Sequence, residues 1–165
     1  MFKMYDGIKK KKTMTKFLIV TGPEHSGKTT TMGMIYKKLL LSAKDSYLAD
    51  VNDIEIPTDD SLMVNGIPQD FIAHLNIKGK KVAMISAGDI AQYVKEYVED
   101  YLDKQVDYII CCIRTVNRKG SARRVLYSDF VNYPKEEFWT VYSDDKEQMF
   151  HVKENIVNQI VSKIV

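Results

Sequence analysis

The residues best equipped for chemistry lie together at Gly22-Pro23-Glu24-His25-Ser26-Gly27-Lys28-Thr29-Thr30. Residues 22–29 fit the spacing G-x-x-x-x-G-K-[ST]. Glycine at both ends accepts backbone angles that a Cβ resists, so successive N–H groups can turn toward one anion. Lys28 adds a full positive charge, and the Thr29 hydroxyl is a hard oxygen donor of the kind Mg²⁺ takes. Together these groups describe a cradle for phosphate.

A cradle of this kind needs a strand to deliver it and a helix to receive it. Lys16-Phe17-Leu18-Ile19-Val20-Thr21 is a short apolar run that suits a buried parallel strand. A helix is predicted over Lys28–Ser42, with Met32, Ile35, Tyr36, Leu39 and Leu40 at helical spacing. Its first turn would present unpaired N–H groups and partial positive charge to the same anion.

With that context, residues 16–42 resemble the P-loop NTPase superfamily. The Gly22-Pro23 opening and Ser26-Gly27-Lys28-Thr29-Thr30 are similar to nucleoside- and nucleotide-kinase P-loops. The resemblance implies a purine nucleoside triphosphate with Mg²⁺. Gly22 to Thr30 would hold the β- and γ-phosphates, Lys28 would neutralise them, and Thr29 would bind the metal.

The remaining pattern alternates strands with helices. Phe71–Ile77 and Lys81–Ser86 flank Lys78-Gly79-Lys80 as a hairpin, its second strand the more central. Helices are predicted over Asp89–Gln105, Gly120–Phe130 and Asp145–Ile164, and strands over Val106–Ile113 and Glu137–Tyr142. Residues 50–68 are acidic and read as a short extended piece followed by a loop. The expected fold is α/β, the three-layer P-loop NTPase arrangement. Its sheet would be mostly parallel with an antiparallel hairpin near one edge.

Ligands of open parallel sheets bind at the carboxyl ends of strands. After the second hairpin strand stands Asp89, the available carboxylate for Mg²⁺ and equally a good helix N-cap. Ser86 lies nearer the strand end and could hold a metal-bound water. After the next strand stands Arg114, followed by Arg118 in a cationic stretch suited to neutralising a transferred phosphoryl group. Arg123 and Arg124 read as a helix face. At the last strand, Ser143 or Asp144 reads as the cap of the final helix. His25 would point to solvent or ligand; His74 and His151 have no metal partner at a recognisable spacing.

The chain has 165 residues, enough for one domain with a sizeable core. Residues 1–13 read as a flexible basic tail and 14–165 as one nucleotide-binding domain. A net charge of only +2 gives no electrostatic case for nucleic acid. No apolar stretch is long enough to span a membrane. Adjacent Cys111 and Cys112, inside an apolar run, fit free thiols in a reducing cytoplasm better than a disulfide or zinc site. Asn117-Arg118-Lys119-Gly120 lacks the aspartate that selects guanine in GTPases, so ATP follows by elimination.

The expected activity is kinase-like phosphoryl transfer or ATP hydrolysis, with a small-molecule or protein acceptor that the residues do not name. The alternatives are a nucleotide-binding regulatory module with little turnover and an atypical GTPase. Nothing in the sequence sets the oligomeric state.

Overall fold

The computed structural model describes residues 14–56, 62–64, 67–87, 91–115 and 120–165. The predicted basic tail at 1–13 lies outside them. In chain order the elements are β1 (Lys16–Thr21), α1 (Lys28–Leu40), β2 (Asp45–Ala49), β3 (Met63–Val64), β4 (Ile67–Pro68), β5 (Ile72–Ile77), β6 (Lys80–Ile85), α2 (Ala91–Asp103), β7 (Tyr108–Ile113), α3 (Ala122–Ser128), β8 (Lys135–Trp139) and α4 (Lys146–Ile164).

Six strands form one sheet in the order β2-β5-β6-β7-β1-β8. β6, β7, β1 and β8 pair in parallel, whereas β5 is antiparallel to both β6 and β2. The parallel core and the antiparallel hairpin agree with the sequence reading. β3 and β4 form a separate two-stranded ribbon.

Alternation along β1 explains the layers. Leu18 and Val20 face α1 and α4, joining Met32, Ile35, Leu39, Ile156, Val157 and Ile160 in one core. Phe17 and Ile19 face the other side, with Val94, Val98, Ala122 and Leu126 from α2 and α3. Successive side chains of a strand point to opposite faces, so a sheet covered twice needs apolar residues at every position. Residues 17–21 are accordingly all buried. Among the described residues, no helix is long and apolar enough to cross a membrane.

Several boundaries differ from the sequence reading, three of them instructively. β2 was not foreseen as a strand: at the sheet edge only its last two residues are buried, so its pattern is weak. The last strand begins at Lys135 rather than Glu137, because it runs in register with β1 from Phe17↔Lys135 to Thr21↔Trp139. The final helix is capped by Asp145, which accepts from the Glu147 and Gln148 N–H groups, and not by Ser143 or Asp144. Ser143 instead accepts from the Asp145 N–H and donates to Gln148 Oε1, two residues outside the cap.

Candidate functional site

Parallel register brings three strand ends level. Thr21 stands opposite Ile113 on one side and Trp139 on the other. The chain leaving β1 therefore emerges between Arg114 and Thr140. The Gly22 N–H donates to the Ile113 carbonyl at 3.3 Å, and the Thr140 N–H to the Thr21 carbonyl at 2.8 Å. A Cβ on Gly22 would stand 1.9 Å from Thr140 Oγ1 and 2.6 Å from Ser26 Oγ, so only glycine fits this close approach.

The loop then coils tightly. His25 and Gly27 take left-handed φ values of 62° and 83°. Gly27 accepts this at no steric cost, whereas at His25 it is an uncommon conformation held by its surroundings. Alternation of this kind turns backbone N–H groups to one side. Ser26 is buried, and its hydroxyl binds the Pro23 carbonyl at 2.7 Å and Thr140 Oγ1 at 2.6 Å. Its side chain thus braces the loop from within. Thr140, which the sequence reading passed over, is the external half of that brace.

Gly27 is also the N-cap of α1, and no side chain caps this helix. Its first turn carries no acidic residue. The starts of α3 and α4 are different: Ser121 accepts from the Arg124 N–H, and Asp145 closes α4. The start of α1 therefore has no side-chain cap competing for its positive end, which suits an anion.

A cleft of about 390 Å³ opens over this helix start. Glu24, His25, Gly27, Lys28, Thr29, Thr30 and Arg114 line it, together with Pro68, Asp70, Ser86 and Cys112. Gly22, Pro23 and Ser26 support the loop from behind. Lys28 Nζ donates to the Pro23 carbonyl at 2.8 Å, arching over the loop mouth. Arg114 reaches Glu24 across the cleft at 3.5 Å. The register of β7 against β1 explains that reach.

Two predicted residues, Asp89 and Arg118, fall outside the described residues. Ser86 lines the cleft and also has a structural task. Its hydroxyl accepts from the Phe71 N–H at 2.6 Å and donates to the Phe71 carbonyl at 3.1 Å, fastening β5 to the end of β6. β6 is also not a neighbour of β1, since β7 lies between them.

Asp70 is the cleft residue that sequence reasoning missed. It precedes an antiparallel strand, so the beginning of β5 lies at the edge where the parallel strands end. Its Oδ1 lies 3.4 Å from Thr29 Oγ1. The hairpin already implied this placement, because the first residue of one hairpin strand faces the last of the other.

Arg123 is occupied elsewhere. It binds Glu137 with both guanidinium nitrogens, at 2.8 and 2.9 Å. Glu137 also accepts from Thr21 at 2.7 Å and from Tyr127 at 2.6 Å. Burial alone would raise the Glu137 carboxyl, but the Arg123, Tyr127 and Thr21 hydrogen bonds outweigh it and hold it below the usual range. Burial and the same bond to Glu137 push Tyr127 up to about 12. This cluster anchors the last residue before the loop and supports the reading of Arg123 as structural.

The donor set can be compared with what Mg²⁺ requires. Among the described residues no three His, Cys, Asp or Glu side chains converge. The cleft instead offers one hydroxyl and one carboxylate side by side, hard oxygen donors that fit a metal shared with substrate phosphates rather than a full protein cage. Comparisons with protein-family models, with curated proteins and with solved structures return no match.

Proposed function

We propose that this protein is an ATP-binding P-loop protein that carries out Mg²⁺-dependent phosphoryl transfer, kinase-like or to water. The observation that carries this reading is the uncapped start of α1 behind left-handed Gly27, with Lys28 and Arg114 facing the same cleft. An uncapped helix start, two cations and a hydroxyl are the groups that polyphosphate needs and that few other ligands reward.

In this reading backbone N–H groups of the loop and of the start of α1 orient the β- and γ-phosphates. Lys28 leaves the Pro23 carbonyl and takes up phosphate oxygens. Arg114 exchanges Glu24 for the transferred phosphoryl group and neutralises the charge that develops there. Thr29 holds Mg²⁺ with a carboxylate, for which the sequence nominates Asp89. Mg²⁺ held there would supply neutralisation of phosphate charge. Arg118 would add a second cation after β7.

Titrating ATP and GTP with Mg²⁺ tests the binding claim. We expect ATP to bind more tightly, and Lys28→Ala to weaken that binding by about 100-fold. Unchanged affinity in Lys28→Ala would remove the loop from the account. Phosphate release, measured beside transfer to a panel of nucleosides, nucleotides and hydroxylated metabolites, separates kinase from ATPase. Binding with neither activity would leave a nucleotide-binding module.

A further inference from the structure

We propose that Asp70 is a Mg²⁺-site residue working in tandem with Thr29, a role placed at the start of the antiparallel strand β5 rather than at the end of a parallel one. The inference rests on the nucleotide reading above and names how that same site holds its metal.

Three observations carry it. The first is position. β5 runs against β6, so the chain leading into β5 arrives at the ligand edge, and Asp70, two residues before the strand, lines the cleft that also contains Lys28, Thr29 and Arg114. The second is anchorage. Phe71 is fully buried and edge-on to Tyr36, with ring centroids 5.8 Å apart. Ser86 clamps its N–H and carbonyl with two hydrogen bonds. The backbone beneath Asp70 is therefore held, while its carboxylate stands exposed at the cleft.

The third is spacing. Asp70 Oδ1 and Thr29 Oγ1 are 3.4 Å apart. A good hydroxyl–carboxylate hydrogen bond closes to about 2.7–2.8 Å. Two adjacent ligands of an octahedral Mg²⁺ with bonds of about 2.1 Å stand roughly 3 Å apart. The pair is thus too open for a good hydrogen bond and only a few tenths of an ångström wider than an octahedral edge. A small rotamer adjustment lets both oxygens meet one cation directly, or lets Asp70 hold one of its waters. Mg²⁺ keeps several waters and uses one or two carboxylates plus phosphate, which suits an exposed Asp70.

The test measures metal binding apart from turnover. ATP affinity of the full chain is determined with Mg²⁺ and with EDTA, and Mn²⁺ binding to the protein–ATP complex is followed by electron paramagnetic resonance. Asp70→Asn keeps shape and removes charge at an exposed position; Asp70→Ala is the second variant, and melting curves verify folding of both. We expect the Mg²⁺-dependent gain in ATP affinity and the Mn²⁺ affinity to fall about 10–100-fold in both variants, with affinity in EDTA unchanged. An unchanged Mg²⁺ gain in both variants overturns the inference while leaving the nucleotide reading standing, and loss of that gain in Asp89→Asn would then assign the metal to the loop after β6. If the unaltered chain binds no ATP with or without Mg²⁺, the nucleotide reading itself fails, and the Asp70 role with it.

Discussion

Arg114 and Arg123 sit on the same cationic stretch, yet the structure treats them oppositely. Arg114 meets Glu24 through one nitrogen at 3.5 Å, with side chains 41% and 60% exposed. Arg123 meets Glu137 through two nitrogens at 2.8 and 2.9 Å, with side chains 16% and 18% exposed. A long, solvated pair contributes little to stability and exchanges partners easily. A short, bidentate, half-buried pair is directional, and removing one partner strands a charge away from water. The first arrangement suits a group that must let go and hold a ligand. The second suits one that must never move.

Substitutions should separate the two regions sharply. The largest effect is expected at Lys28, the other cation lining the cleft. Lys28→Ala should lower phosphate release or transfer by about 10³-fold in a single-turnover assay, while the melting temperature stays close to the unaltered protein's. Arg114→Ala comes next, with turnover down about 100-fold and stability changed by no more than about 0.5 kcal/mol. If Arg114→Ala instead lowered the melting temperature strongly, the contrast between the arginines would be lost.

The converse variant is Glu137→Gln. It should cost about 2 kcal/mol of stability, read as a melting-temperature drop of roughly 4–8 °C. Nucleotide affinity should hold within a few-fold.

The cost is also pH-dependent. Glu137 is held below its ordinary value in the folded state, so its stabilising charge is fully present above the unfolded carboxyl's value of about 4.3. The contribution is lost as pH falls through the lowered folded value. Denaturation curves of the two proteins should accordingly differ at pH 7 and converge in that acid window.

The smallest effect is expected at Glu24. Glu24→Gln removes the competitor for Arg114 and a like charge beside the phosphates, so ATP affinity should rise by a few-fold at low salt and less at high salt. A loss of affinity would instead mean that Glu24 positions Arg114 for the ligand.

Much of this was legible in the residues because the relevant signals are local. The apolar run before Gly22 and the helical spacing after Lys28 declare a strand and a helix within a few residues of the glycines. The hairpin shows in two apolar runs around Gly79, and the α2 rhythm in Val94, Val98 and Tyr101. Arg114 was legible from its strand end. β2 was not, because an edge strand is half-solvated and lacks a continuous apolar pattern. The cap was expected at Ser143 or Asp144 and falls at Asp145, because all three are competent acceptors and only backbone geometry chooses among them.

The sequence by itself determined the spacing of Gly22, Gly27, Lys28 and Thr29, the alternation of strands and helices, and the two-sided burial of β1, since each depends on neighbours a few residues apart. Tertiary structure alone decided which strands flank that loop. By inserting β7 between β1 and β6, it placed Arg114 beside Gly22 and moved Ser86 two strands away. By running β5 backwards, it carried Asp70 to Thr29. Those distances are set by sheet order and register, which depend on long-range packing of side chains far apart in the chain.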